Sequence, residues 1–225
     1  MLNLYYGGTF DPVHNGHLAI ARAARDELRT PVHLMPAADP AHRAPPGAPA
    51  AQRAHMLDLA VQGEPGLQVD RRELLRAARD PGARSYTIDT LRELRDELGT
   101  DAPIALLIGA DSLLGLPTWR QWRRLFDLAH FVVAERPGSA LDAGLPAELA
   151  TELDGRWTRG AAGLTGRPAG CVHRLRQPLH PESASDIRQR IAQGRPWREF
   201  VPAAVADWIA DERLYFTPGP ENAPV

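Results

Sequence analysis

Short apolar runs alternate with amphipathic stretches along this chain, and the alternation limits the folds open to it more than any other feature. Residues 2–6 form a mostly apolar run stopped by Gly7 and Gly8, the pattern of a buried strand that feeds a loop. Residues 16–28 then set Leu18, Ile20, Ala21, Ala24 and Leu28 among arginines, which predicts a helix packed by one face on a sheet. Further strands are expected at 32–35, 67–70, 104–108, 131–134 and 172–175, with helices at 51–61, 86–98, 185–193 and 202–211. Residues 37–50 hold four prolines and a glycine, so they read as a loop. Such alternation implies right-handed crossovers and an α/β fold on a doubly wound parallel sheet, with small helices at the C-terminal end. Ligands of a sheet of this kind bind in the crevice at the carboxyl ends of its strands.

At 225 residues the chain fits a single domain. That domain is expected over 1–217, with a Gly- and Ala-rich variable surface insertion at 139–170 of little periodicity and a flexible tail at 218–225. All 26 basic residues are arginine, and 28 acidic ones leave a net charge of -2, so nothing global attracts nucleic acid or an anionic membrane. No apolar run approaches the roughly 20 residues of a membrane-spanning helix. The absence of lysine excludes a Schiff-base lysine, a lysine general base and the lysine of a phosphate-binding loop. A coding bias toward arginine is the plainest cause, and it has chemical consequences, because a guanidinium is always charged and forks onto phosphates. Cys171 is the only cysteine, so an intramolecular disulfide and a thiolate metal cluster are excluded. Residues 1–6 carry no basic region and do not read as a signal peptide. These features predict a cytoplasmic enzyme or binding domain acting on small molecules, with no nucleic-acid or membrane partner and with self-association left open.

The loop after the first strand reads Gly7-Gly8-Thr9-Phe10-Asp11-Pro12-Val13-His14-Asn15-Gly16-His17-Leu18. It matches neither the phosphate-binding loop nor the dinucleotide fingerprint. Its glycines allow the backbone to approach a ligand closely, and Asn15-Gly16 opens a helix whose free N–H groups attract anions. His14 and His17, three residues apart there, are suited to stabilise charge that develops on a nucleoside triphosphate when another phosphate attacks it. A metal-binding pair and two purely structural histidines remain alternatives on spacing alone. Near the other end, Ser183-Ala184-Ser185-Asp186-Ile187-Arg188 opens a helix. Either serine can serve as its cap, which leaves Arg188, one turn in, for the phosphates. Ile108-Gly109-Ala110-Asp111-Ser112 follows the strongest strand, where small residues let backbone groups reach a base or ribose, or simply make a turn. Pro117-Thr118-Trp119 offers an indole that either stacks on a flat cationic ring or fills the core. Ser85-Tyr86-Thr87 offers hydroxyls at a helix start.

The first of these stretches resembles the GTFDPxHxGHL signature of the nucleotidylyltransferase superfamily, and 183–188 resembles its second motif, usually ISSTxIR, with Glu182 and Ala184 departing from it. Taken in order, with 39–43 and Glu135-Arg136-Pro137-Gly138 added, the stretches look like those of the bacterial nicotinate-nucleotide adenylyltransferases, from Leu4 to about Tyr215. The resemblance implies a Rossmann-like sheet of the nucleotidylyltransferase type. It implies adenylyl transfer from ATP to nicotinate mononucleotide, giving nicotinate adenine dinucleotide and pyrophosphate, with Mg²⁺ as the cofactor and no protein metal site. By it, His14, His17 and Arg188 are the catalytic residues. Gly8, Thr9, Phe10, His42, Gly109, Asp111, Ser112, Arg136, Ser183 and Ser185 would serve ATP, and Thr87 and Trp119 the nicotinate nucleotide. Arg120 stands where such proteins often carry a second aromatic. The alternatives are the same chemistry on nicotinamide mononucleotide, on phosphopantetheine, or on an alcohol phosphate with CTP, and a binding module that has lost catalysis.

Overall fold

The computed structural model describes residues 1–38, 45–80, 82, 84–135, 141, 144–177, 180 and 182–216. Seven strands form one sheet: β1 (Asn3–Gly8), β2 (Val32–Pro36), β3 (Leu67–Val69), β4 (Ile104–Gly109), β5 (His130–Ala134), β6 (Trp157–Thr158) and β7 (Val172–Arg174). Their spatial order is β3-β2-β1-β4-β5-β7-β6, and every pairing is parallel. The alternation of apolar runs and helical stripes thus forms the doubly wound sheet expected of it.

A parallel sheet is covered on both faces, so its strands must be apolar on both. Leu4 and Tyr6 of β1, Ala105 and Leu107 of β4, and Val132 and Ala134 of β5 enter one core. Tyr5, then Ile104, Leu106 and Ile108, then Phe131 and Val133 enter the other. The first core is closed by α1 (Asn15–Leu28), α2 (Ala50–Val61), α9 (Ala184–Ala192) and α10 (Ala203–Asp211). The second is closed by α4 (Thr87–Leu98), α5 (Ala110–Leu114) and α6 (Leu125–Leu128), with α3 (Arg72–Arg79) packed on β2 beside it. The chain therefore leaves β1 toward one face and β4 toward the other, although the two strands are neighbours, Tyr6 lying opposite Leu107. That divergence opens a crevice beyond Gly8 and Gly109.

Within 139–170 the expectation of an aperiodic surface excursion is corrected. The described part holds α7 (Ala147–Leu153), the edge strand β6 and α8 (Gly160–Thr165), and it sinks Leu149, Leu153 and Leu164 into the cores. Each helix spans two turns or fewer, too short to show a periodic stripe. At the C-terminal end α9 and α10 begin and end within a residue or two of expectation.

Candidate active site

Two adjoining cavities occupy the crevice. One, about 370 Å³, is lined by residues 6–11, His17, Pro45, Pro46, 109–112, Ser183, Ala184, Ser185 and Arg188. The second, about 280 Å³, is lined by Met35, Ala37, Glu73, Ser85, Thr87, Leu106, Ile108, Gly115, Thr118 and Trp119. Gly7, Gly8, Thr9, Asp111 and Ser112 line both, so the ends of β1 and β4 form the shared wall. Two motifs some 170 positions apart in sequence thus meet in the first cavity, and the indole and helix start meet in the second.

The loop from Gly8 to His17 is held from several sides. Phe10 has φ 51, is 1% exposed, and meets Tyr6 and His17 edge-on at centroid separations of 5.5 and 5.0 Å. An ideal Cβ on Gly8 would stand 2.9 Å from Phe10 Cζ, so only glycine lets that ring lie against the strand end. His14 is the N-cap residue of α1, with extended backbone at φ -141 and ψ 170. Its N–H donates to His17 Nδ1 at 3.2 Å, so a neutral His17 carries its proton on Nε2, as a donor. The two rings stack with centroids 3.7 Å apart. They differ in access, however. His17 lines the first cavity, whereas His14 is 1% exposed and lies behind it.

Arg188, one turn into α9, donates Nη1 to the Asp11 carbonyl at 2.6 Å and Nη2 to Ser185 Oγ at 3.4 Å. Ser183 is the N-cap residue, yet its side chain makes no capping hydrogen bond, so capping does not account for its hydroxyl. The Asp11 carboxylate is the hub of this wall. Its Oδ1 accepts from Ala48 N at 3.0 Å and Tyr215 Oη at 2.8 Å, and its Oδ2 accepts from Gly47 N at 2.7 Å and lies 3.4 Å from Arg188. Burial and the neighbouring Asp11 carboxylate push the Tyr215 hydroxyl far above its ordinary value, so it stays a donor.

In the second cavity Thr87 is the first residue of α4, and Trp119 follows a 3₁₀ turn at Leu116–Thr118. Arg120 places its guanidinium 4.9 Å from the centroid of the Tyr86 ring. Of the sequence-predicted residues, Gly8, Thr9, Phe10, His17, Gly109, Asp111, Ser112, Ser183, Ser185 and Arg188 line the first cavity, and Thr87 and Trp119 the second. His42 and Arg136 lie outside the described residues.

Sequence reasoning gave no role to Asp11, Arg53, Glu73 or Tyr215. Arg53 is 0% exposed and donates to the carbonyls of Ala48 at 3.1 Å, Thr9 at 2.6 Å and Ala38 at 2.9 Å. It thereby ties the glycine loop to both shoulders of 39–44. Its signal was a charged residue among the otherwise apolar buried positions of α2, Ala54, Met56, Leu57 and Ala60.

Among the described residues no cluster of three or more His, Cys, Asp or Glu could hold a metal ion. The carboxylates of the first cavity are Asp11, which is committed to its hydrogen bonds, and the exposed Asp111. That donor set fits a hard divalent cation carried chiefly by substrate phosphates and water rather than by a protein cage.

A divided crevice at the switch point, an anion-attracting helix start, and a histidine and an arginine facing one cavity define a nucleotidyltransferase site. The chain belongs to the cytidylyltransferase-like family, whose model matches residues 5–190. It is 61% identical over 219 residues to the probable nicotinate-nucleotide adenylyltransferase of Stenotrophomonas maltophilia (strain K279a), covering 97% of this chain and 99% of that one. It is 48% identical over 214 residues to the protein of the same description from Xylella fastidiosa (strain 9a5c), covering 95% and 96%. The fold matches that of Plasmodium falciparum nicotinic acid mononucleotide adenylyltransferase complexed with NaAD, with a TM-score of 0.71 at 14% identity over 95% of this chain and 97% of that one.

Proposed function

We infer that this chain transfers the adenylyl group of ATP to nicotinate mononucleotide, giving nicotinate adenine dinucleotide and pyrophosphate in NAD biosynthesis. The observation that carries the reading is the pair of adjoining cavities with a shared glycine wall, where two nucleotides would meet at their phosphates. The 61% identity to a protein of that description supports it.

In this reading ATP takes the first cavity. Gly8, Thr9, Phe10, Gly109, Asp111 and Ser112 line the nucleotide, Ser183 and Ser185 offer hydroxyls, and His42 and Arg136 are assigned to ATP by resemblance. The mononucleotide takes the second, with its pyridine against Trp119 and the α4 start at Thr87. An oxygen of the mononucleotide phosphate attacks the α-phosphorus in line. A new P–O–P link forms as the bond to the β-phosphate breaks, and pyrophosphate leaves with the electron pair. The His17 Nε2–H donates to the phosphate oxygens as charge builds, Arg188 holds the β- and γ-phosphates, and His14 orients His17 through its backbone N–H. Mg²⁺, bound with the triphosphate, would neutralise part of the phosphate charge. The protein works by position and fixed charge and needs no covalent nucleophile. The reading places the enzyme in the cytoplasm.

A coupled pyrophosphate-release assay with ATP tests this. His17→Ala should keep its fold by circular dichroism and lose roughly 10²- to 10³-fold in kcat, the cost of one preorganised donor. Near-normal turnover by this variant would remove His17 from the mechanism. Equal kcat/KM for nicotinate and nicotinamide mononucleotides would refute acid specificity.

A further inference from the structure

The second cavity has an acidic wall. Glu73, on α3, lines it and is 6% exposed, although the acceptor inferred above brings a carboxylate of its own on the pyridine ring. Two hydroxyls serve Glu73, and the groups behind them fix the direction of both. Arg76 Nη2, which can only donate, donates to Thr90 Oγ1 at 2.8 Å, so the Thr90 proton goes to Glu73 Oε1, also at 2.8 Å. Ala38 N–H donates to Ser85 Oγ at 3.2 Å, so the Ser85 proton is likewise directed toward the Glu73 carboxyl, which it hydrogen-bonds. Glu73 therefore joins α3, the start of α4 and the shoulder of β2, three elements that border the acceptor cavity.

The charged groups around Glu73 do not neutralise it. Arg76, on its own helix, stands 4.0 Å away but spends Nη1 on Glu93 of α4 at 2.9 Å. Asp70, beyond β3, adds like charge, and Asp111, at the start of α5, lines the same cavity. Burial is the largest influence on the carboxyl and pushes it above the usual carboxylate range, against the smaller pull of Thr90, Ser85 and Arg76. The site is one in which a second negative charge displaces the balance toward the protonated acid.

We propose, on the reading of function given above, that Glu73 is the positioning residue of the acceptor cavity and senses the charge of the pyridine substituent. An acidic ring binds with uptake of one proton from solvent by this carboxyl, and a neutral carboxamide ring binds without it. Protonated Glu73 then becomes a donor on the cavity wall, while Oε1 keeps accepting from the Thr90 hydroxyl.

The test is the ratio of KM for nicotinate over nicotinamide mononucleotide between pH 6 and 9 at saturating ATP. The ratio cancels the titration of the phosphate both substrates share. In the wild type it should rise with pH, approaching about tenfold per pH unit once Glu73 is ionised in the free enzyme. Glu73→Gln, which keeps size and one acceptor, should flatten it. Calorimetry of the wild type with nicotinate mononucleotide in two buffers of different ionisation enthalpy reads the proton directly and needs no variant. A pH-independent ratio, an unchanged slope in Glu73→Gln, or no proton uptake overturns the proposal while the function stands. Absence of pyrophosphate release with both mononucleotides overturns the function, and the proposal with it.

Discussion

Replacing Asp11 by Asn should loosen the wall that joins the two sequence motifs, and the hydrogen-bond geometry sets the size of the effect. Asparagine keeps the shape but turns one acceptor oxygen into an NH₂ group. Placed best, its oxygen stays at the Oδ1 position, where it still accepts from Ala48 N–H and the Tyr215 hydroxyl. The NH₂ then faces Gly47 N–H and the Arg188 guanidinium, donor against donor. A buried donor left unsatisfied costs about 1–3 kcal/mol. The lost ion pair adds at most about 1 kcal/mol, since Arg188 is a third exposed and solvent screens it. The expected loss is about 1–4 kcal/mol. For a chain of this size that is a fall in Tm of roughly 3–12 °C, or a lower urea midpoint at unchanged slope. Asp11→Ala, which abandons every partner, should fall further, toward the roughly 3–5 kcal/mol of a broken buried pair. A Tm within about 2 °C of wild type for Asp11→Asn, or an alanine variant as stable as the asparagine one, would refute the role of Asp11 as a hub.

Arg188→Ala should raise KM for ATP and lower kcat/KM by about 10²-fold or more, because no lysine exists in the chain to replace the charge, and Arg188 is the only arginine among the described residues of the first cavity. Steady-state kinetics close to wild type would contradict it. Gly8→Ala should displace the Phe10 ring, which a Cβ would meet at 2.9 Å, and so disturb His17; activity should fall more than Tm, and an active variant with wild-type kinetics would count against this path. His130 should titrate below the usual histidine range. Burial is the largest cause, and its ring already accepts from Cys171 N–H at Nδ1 and meets the Arg167 carbonyl at Nε2. A depressed histidine favours the fold above its unfolded value, about 6.5, and that contribution is lost as pH falls. Glu73, raised, works in the opposite sense, so urea unfolding of Glu73→Gln from pH 7 to 5 reads the depressed histidines, His130 together with His33, and stability that rises there would contradict the assignment.

Much of this molecule was legible in its sequence because a parallel sheet needs continuous apolar strands and one-faced helices, and both leave a pattern. The strand at 104–108 and the helix at 86–98 came within a residue or two of the observed ends for that reason. The meeting of contiguous motifs was legible too: the loop to His17 and the segment ending in Arg188 line one cavity. The support behind those motifs was not. Asp11 meets Tyr215 across 204 positions and Arg53 reaches Thr9 across 44, and no local periodicity records such a partnership. Glu73 sits on a helix with three arginines, and only the fold shows that it is the charged residue of that helix that is buried. Spacing alone does not distinguish His14 from His17, and only the N-cap geometry shows one ring buried behind the other.

The reaction joining the contents of the two cavities can be observed directly. Phosphorus NMR of the enzyme with ATP, Mg²⁺ and nicotinate mononucleotide should show the triphosphate and monophosphate signals decay together as a dinucleotide diphosphate and free pyrophosphate appear in equal amounts. Signals of ADP and orthophosphate, or a bound ATP that stays intact beside the mononucleotide, would contradict it.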